Sequence, residues 1–580
     1  MFLSKNQIGQ ISWQAFERAI TRLLIHEGFS DVRMVGQSHD KGADLIAHKY
    51  GKRWLFQVKH WKGRSGVGVI DRTLEAARIF RAQIPVIVCL GGFDVASREH
   101  HQVIMTRQRI PLQLWDTDEL LRRLSLLKAA EHNTPVELRK YQSDAINSIV
   151  QAYGRNAGGR ALVVMATGLG KTVVAAEAAR RIKTSQSLRV LVLAHTNTLV
   201  YQLERAFWPF LHPSDETAVW NGVEQPPHEM MHSRPGFTFA CIHTVFNALR
   251  VEGALPTYDL VIIDECHHAG ATMYQEVTEF LRAGCEGGPF LLGLTATPWR
   301  PDGNELDAVF GPPLVSVDIV SGLRHGFLAN IDYRLFSDNI NWGGLASLEK
   351  GKLSPRNINR TLFITEWDEA VVLELKRCWE SQVNPRAIVF CGTIDHAITM
   401  RDRINSYGFC NAGAIYSGTA AGRTMQAYER NRMLSDFHDG HIGTICVVDI
   451  FNEGVDVPDV NIIVFQRVTH SRRIFVQQLG RGLRLAPNKQ KVTVLDFVSD
   501  IRRFAAGLHL KDDLNSSSVN STESVRVKLN NTVTFHQAGK EDPESESFLR
   551  QWIDDVASVE DADDDSAVLR YPPLLPGGKT

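Results

Sequence analysis

The chain has 580 residues, 44% hydrophobic and 22% charged, too many for one core and ordinary in balance for three or four globular domains. Its net charge of -1 hides a gradient: residues 1–130 hold 20 Lys or Arg against 12 Asp or Glu, a difference of +8, and residues 511–580 hold 7 against 14, a difference of -7, so the first end suits a polyanion and the last does not. Eight cysteines stand singly with no C-x-x-C pair, which excludes a zinc ribbon or disulfide framework and fits a reducing cytoplasm, while the start MFLSKNQIGQ lacks a signal-peptide core and no apolar run nears the roughly 18 residues of a membrane span.

In WQAFERAITRLLIHEGF, Trp13, Phe16, Ile20, Leu23 and Leu24 recur at helical spacing and Gly28 supplies a stop. GADLIAHKYGKRWLFQVKHW then reads as a two-stranded hairpin. A helical stretch around DRTLEAARIFRAQ, a buried strand in IPVIVCLGG, and a strand and helix in PLQLWDTDELLRRL predict a compact α/β domain ending near Ala130. After the polar break EHNTP come the strand candidates ALVVMA, RVLVLAH, DLVIIDE and FLLGLTA, each followed by a loop and a helical segment. A second series starts near Leu335, with RAIVFC, GTICVVD, VNIIVFQ and KVTVLDF as strands. Continuous apolar strands between helices predict parallel sheets covered on both faces, here as two similar lobes. Beyond about Gly507, DLNSSSVNSTES and VEDADDDSA read as linker or disorder.

ALVVMATGLGKTVVAAEAA has the order strand, glycine-bearing loop, helix. Backbone N–H groups of the loop at Thr167, Gly168 and Gly170, with the helix N-terminus, can surround phosphate oxygens. Lys171 would reach the β/γ-phosphates of ATP and the Thr172 hydroxyl would ligate Mg2+; Met165 stands where the usual motif has its first glycine. In DLVIIDECHHA, Asp264 at the end of a buried strand can hold magnesium, and Glu265 can orient and deprotonate water. His267 and His268 read as hydrogen-bonding or packing residues, since no cysteine pair accompanies them. QQLGRGLR puts Gln477, Arg481 and Arg484 on one helical face, either as a surface basic helix or as guanidinium groups that reach a γ-phosphate when two lobes close.

ATGLGKT, DECH, TAT (Thr295 to Thr297), VVDIFNEGVDVPDV and QQLGRGLR occur in this order, and together they closely resemble the motors of superfamily 2 helicases, in the branch holding type III restriction and repair-type translocases. LRKYQSDAI resembles that branch's upstream adenine motif, implying that Gln142 reads the base with Arg139 nearby. The resemblance spans residues 135 to about 500. It implies two RecA-like lobes with ATP between them and nucleic acid across both. It further implies backbone contacts from Thr196, Thr244, Thr393 and Arg467, although such hydroxyls also cap helices. Asp449, Gly454 and Asp456 would couple nucleotide state to strand grip.

In WLFQVKHW, alternation puts Gln57 and Lys59 on one face with Leu55. Asp44 begins the preceding strand, and Gly51 and Lys52 sit in the turn. A bent hairpin can bring the acid, the amide oxygen and the ammonium together, the groups that metal-assisted phosphodiester cleavage needs; a solvated hairpin face is the alternative. FERAITRLLIHEGF and GADLIA...QVKHW resemble Mrr-like restriction endonuclease domains of the PD-(D/E)xK fold over about residues 10 to 125. By that resemblance Glu17, Asp44, Gln57 and Lys59 form the cutting site, with Asp44 and Gln57 on the metal. Asp40 is expected to line the turn, and His39, His60 and Trp61 either touch DNA or pack.

The expected architecture is therefore α/β: a restriction-endonuclease-like (PD-(D/E)xK) domain at 1–130, two tandem RecA-like parallel-sheet lobes at 131–330 and 331–507, and a partly disordered acidic tail at 508–580. The expected function is an ATP-dependent DNA helicase or translocase fused to a magnesium-dependent endonuclease, suited to restricting foreign DNA. It would act on double-stranded DNA, with single-strand tracking open, beside partner subunits of a defence system and away from membranes. The alternative is a repair or remodelling helicase whose first domain only binds DNA or a partner; a nucleotide-regulated RNA-binding protein is a third class.

Overall fold

In the computed structural model, the described residues are 2–3, 8–35, 42–129, 137–185, 188–232, 234–268, 272–296, 306–317, 322, 325–336, 351–353, 368–416, 419–420, 423–448, 460–466, 489, 491–497, 534–536 and 569–571. Helix α1 (Trp13–His26) is capped by the Ser12 hydroxyl, which accepts from Ala15 N. Its apolar stripe of Phe16, Ile20, Leu23 and Leu24 is buried to 1% exposure or less, each side chain contributing about 1.5–3 kcal/mol. Trp13, expected on that stripe, is 45% exposed because it sits in the first turn. Gly28, at φ +80°, follows the helix end.

The sheet beneath α1 has the order β1 (Ser30–Met34), β2 (Leu45–Lys49), β3 (Lys52–Lys59), β4 (Ile84–Cys89) and β5 (Gln113–Trp115), crossed by helices α2 (Val67–Ile79), α3 (Val95–Val103) and α4 (Thr117–Ala129). The hairpin turn is Tyr50-Gly51, both left-handed at φ +53° and +69°, the geometry that matches the strand twist. Lys52, expected in the turn, instead opens β3 and pairs with Lys49. Strand β3 then runs parallel to β4, with Gln57 opposite Ile87 and Lys59 opposite Cys89.

Helix α5 (Lys140–Arg155) introduces the first lobe. Its seven-stranded parallel sheet contains β6 (Arg160–Met165), β7 (Arg189–Ala194), β8 (Thr217–Trp220), β9 (Gly236–Cys241), β10 (Leu260–Asp264), β11 (Phe290–Thr295) and β12 (Pro313–Val317), in the order β12-β6-β11-β10-β7-β9-β8. Helices α6 (Lys171–Ser185), α7 (Asn197–Phe207), α8 (Ile242–Glu252) and α9 (Thr272–Phe280) connect them. The second lobe contains β13 (Asn330–Phe336), β15 (Ala387–Phe390), β16 (Ala412–Ile415), β19 (Thr444–Val447), β20 (Ile462–Phe465) and β21 (Lys491–Phe497), with helices α10 (Asp368–Ser381), α11 (Ile394–Tyr407) and α12 (Ala427–His438). Short pairs β14 (Gly351–Leu353) and β17 (Thr419–Ala420) with β18 (Arg423–Thr424) lie outside that sheet.

All eight strands expected in the two lobes are present, and β8, β9, β12, β13 and β16 are additions to their sheets. Two short strands also come from the region read as linker. Strand β22 (Thr534–His536) extends the second sheet beside β13, and β23 (Leu569–Tyr571) pairs with β14. The β-branched and aromatic run TVTF explains the first of these. No helix among the described residues is long and apolar enough to cross a membrane.

Candidate active sites

Strands β6 and β10 flank β11 in the first sheet, so the loop after β6 and the carboxylates after β10 emerge side by side. Met165, at the position of the motif's first glycine, closes β6 with its side chain fully buried. The loop turns through Gly168 (φ +92°) and Gly170 (φ +85°) and enters α6 at Lys171, with Thr172 next and half-exposed. A Cβ at Gly170 would stand 2.6 Å from Gln142 Nε2. Gln142 Nε2 and the Tyr141 hydroxyl both donate to Leu169 O at 2.9 Å, and Gln142 Oε1 accepts from Arg139 N at 3.0 Å. One N–H and one lone pair of the Gln142 amide remain beyond these bonds. Arg139 Nη1 donates to Phe327 O at 2.9 Å.

Lys171 forms an ion pair with Glu265, the residue expected to activate water. Glu265 itself is held at φ +48°, a left-handed conformation that costs a non-glycine residue free energy and clusters at functional sites. Burial alone would raise the Glu265 pKa, but Lys171 and His267 outweigh it and hold the carboxyl well below the usual range. Asp264 goes the other way: burial, opposed by Lys171, pushes it up to about 6. Asp264 Oδ1 is buried without a hydrogen-bond partner among the described residues. An orphaned carboxylate oxygen within the field of Lys171 fits a hard cation carrying phosphate. His267, buried, has Nδ1 3.3 Å from both Glu265 Oε2 and Thr295 Oγ1.

The second centre is on the hairpin. Asp44 N donates to Phe56 O at 2.9 Å, fixing the start of β2 against β3, and Asp44 Oδ2 accepts from Val58 N at 2.5 Å. Lys59 Nζ lies 3.9 Å from that same carboxylate oxygen. Gln57 is buried at 2% exposure against Thr73 of α2. The Thr73 hydroxyl spends its only proton on Val69 O at 2.8 Å, so it must accept from Gln57. The amide nitrogen therefore faces Thr73 and, at 3.2 Å, Val69 O, and the amide oxygen receives Lys59 Nζ at 3.2 Å. Asp44, Gln57 and Lys59 thus converge, with the carboxylate and the amide oxygen as hard-cation donors. Glu17 is buried in mid-α1, beside Phe16, whose ring centroid is 5.3 Å from that of His60. Among the described residues no group of three or more His, Cys, Asp or Glu side chains could hold a metal.

Asp40, His39, Thr297, Asp449, Gly454, Asp456, Arg467, Gln477, Arg481 and Arg484 lie outside the described residues, as does the side chain of His268. Thr196 and Thr393 cap α7 and α11, accepting from Leu199 N and His396 N; Thr244 is half-exposed on α8. Thr73 was not singled out from sequence; its signal is a hydroxyl one turn from Val69 on a helix packed under Gln57. The Lys171–Glu265 pair has no local signal, because its members are 94 positions apart.

Residues 8–124 match the family described as restriction endonuclease, residues 135–300 the type III restriction enzyme res subunit, and residues 369–486 the helicase conserved C-terminal domain. A putative mitochondrial ATP-dependent helicase, irc3, of Schizosaccharomyces pombe is 24% identical over 407 residues, covering 69% of this chain and 63% of that protein. The type I restriction enzyme EcoAI endonuclease subunit of Escherichia coli is 28% identical over 398 residues, covering 63% of this chain and 47% of that protein. The DNA 3'-5' translocase XPB2 of Sulfurisphaera tokodaii is 24% identical over 384 residues, covering 60% of this chain and 79% of that protein. The chain thus spans about half to three-fifths of the length of the first two. It carries an Mrr-like restriction endonuclease domain followed by superfamily 2 helicase domains, kinds of domain that cleave DNA and hydrolyse ATP.

Proposed function

We propose that this pairing of a restriction endonuclease domain with a helicase motor makes the protein an ATP-dependent DNA translocase that carries its own Mg2+-dependent nuclease and restricts foreign DNA. The observation that carries the reading is the convergence of Asp44, Gln57 and Lys59 in a chain that also has a glycine-bearing loop whose Lys171 pairs with Glu265 beside Asp264. The domains would divide as 1–130, 131–330, 331–507 and 508–580. The basic excess of the first would hold phosphates without reading sequence.

At the cutting site Asp44 and the Gln57 oxygen would hold the cation and Lys59 would face the scissile phosphate. Bound there, a divalent ion supplies Lewis acidity and charge neutralisation at the phosphorus. Val58 N and Lys59 orient the Asp44 carboxylate, and Thr73 fixes which end of the Gln57 amide points inward. Glu17 would act from α1.

In the motor, Thr172 and Asp264 would hold Mg2+ with the nucleotide, and Gln142 and Arg139 would meet the base. Phosphate arriving at Lys171 releases Glu265 to orient water, and Arg481 and Arg484 reach the γ-phosphate when the lobes close. The test compares plasmid cutting and ATPase activity, with Mg2+, for the unaltered protein, Lys59→Ala and Lys171→Ala. Cutting that depends on Lys59 supports the proposal. ATPase activity without cutting of modified or unmodified DNA would favour a repair or remodelling translocase.

A further inference from the structure

The nuclease domain touches both motor lobes, through two contacts of unequal character. On the first lobe, Arg18 of α1 donates through Nε to Glu204 Oε2 at 2.7 Å and through Nη1 and Nη2 to Glu224 at 2.6 and 3.0 Å. All three side chains are less than a tenth exposed. Arg22, one turn on, donates to His212 O at 3.1 Å, and Phe2 N donates to Pro213 O at 2.8 Å.

On the second lobe, the contact runs from α12 and its C-cap to the nuclease sheet. Asn431 Nδ2 donates to Val35 O at 2.7 Å. Asp439 pairs with Arg53 and lies 3.6 Å from Arg33 Nη2. His438 Nε2 stands 3.8 Å from Asp31 Oδ1. These charged groups keep between a tenth and a third of their side-chain surface in solvent.

Both second-lobe contacts lead to the cutting residues by short covalent and hydrogen-bonded paths. Val35, held through its carbonyl by Asn431, donates its N–H to Asp44 O at 2.9 Å. Arg53 is the second residue of the strand that presents Gln57 and Lys59. A charge cluster as desolvated as Arg18 with two glutamates resists separation, because each member would be left buried and unpaired; the cluster around Asp439 keeps 10–34% of its side-chain surface in solvent against 4–9% for the Arg18 cluster, and so loses less on separating. Relative movement of the lobes would therefore strain the second contact before the first, and the second is the one that reaches the hairpin.

Resting on the nuclease reading above, we propose that Asn431 and Asp439 are positioning residues for the cutting site, through which nucleotide-driven movement of the second lobe changes the placement of Asp44, Gln57 and Lys59. The motor's state is thereby felt at the nuclease without any contact between nuclease and nucleotide.

The test uses the full chain with Cys285 and Cys410 replaced by Ser. Spin labels go pairwise at Tyr50 of the nuclease domain, Val251 of the first lobe and Val383 of the second, all more than four-fifths exposed. On adding AMP-PNP, Mg2+ and duplex DNA, the 251–383 and 50–383 distances should shift and the 50–251 distance stay fixed. A fixed 50–383 distance with a shifting 50–251 distance overturns the proposal, as does a 251–383 distance that never moves. In a cutting assay, the Asn431→Ala, Asp439→Asn double variant should keep its ATPase rate while the ratio of cutting with ATP to cutting without falls to one; an unchanged ratio also overturns it. If the unaltered protein cuts no DNA, the nuclease reading fails and the distances still decide the coupling.

Discussion

Lys59 Nζ stands 3.9 Å from Asp44 Oδ2 and 3.2 Å from the inward-facing oxygen of Gln57, so one ammonium touches both groups placed to receive a hard cation. Replacing Lys59 with Ala removes that charge from the reaction centre while β3 keeps its pairing. Plasmid cutting in Mg2+ should fall by on the order of 100- to 1,000-fold, with ATPase activity unchanged. Equal cutting by both proteins would take Lys59 out of the reaction.

Gly42 precedes Asp44 by two residues at φ +93°, and a Cβ there would meet Arg72 O at 3.1 Å and the Gln57 amide at 3.2 Å. Gly42→Ala should cost about 1–2 kcal/mol for the left-handed conformation alone and displace Gln57 from Thr73. Calorimetry should show a lowered melting temperature for the nuclease domain together with reduced cutting. A variant that melts like the parent would mean that the turn relaxes freely.

Lys171 and Glu265 form an ion pair across the phosphate loop. Lys171→Ala should abolish ATP hydrolysis and, by leaving the carboxylate without its cation, destabilise the first lobe by about 3 kcal/mol. Glu265→Gln added to it should recover part of that loss, because no stranded charge remains. Urea denaturation of the two variants checks this, and additive losses would show that the pair is not coupled in solution.

Asp439 has a depressed pKa: burial would raise it, but hydrogen bonds from His438 and Arg53 and the charges of Arg53 and Arg33 outweigh burial. A depressed carboxylate contributes stability that is complete above its unfolded value, about 3.9, and is lost as pH falls through its folded value. Asp31, His48 and Arg205 also border this junction; burial lowers the pKa of His48 and of Arg205. The stability difference between the parent and Asp439→Asn should therefore stay flat from about pH 8 to about pH 5 and shrink only below about pH 4. A stability difference already lost at pH 6 would show that the Asp439 carboxylate does not carry the contact.

Arg18 is the member of the nuclease–first-lobe contact whose removal strands two buried glutamates. Arg18→Leu should cost about 3–5 kcal/mol and split a single urea transition into two; Arg18→Leu with Glu204→Gln and Glu224→Gln should restore much of the loss. A single unshifted transition for Arg18→Leu would show that the apolar contacts of α1 suffice.

The parallel lobes were legible because each central strand, such as DLVIIDE, is continuously apolar and ends in chemistry. Strand β9 was missed because Thr238 interrupts GFTFAC, and β16 because AGAI is short and small. At the cutting site, alternation placed Gln57 and Lys59 on one face, and a strand start placed Asp44 near them. The Thr73 support could not be read, since it depends on how α2 crosses the sheet. Arg18 and Arg22 lie at i and i+4 on a helix with one apolar stripe, a pattern equally suited to solvent; burial by another domain is a tertiary fact that local spacing does not encode.

Gly170 has no space for even one methyl group because the Gln142 amide fills it. With Gln142 reading the base as proposed, base-side and phosphate-side recognition would be a single mechanical piece: any purine that pulls Gln142 out of place would disturb the turn before α6. Selection among nucleoside triphosphates would then show up in turnover as much as in affinity, and a triphosphate with the wrong base could be held yet spent slowly.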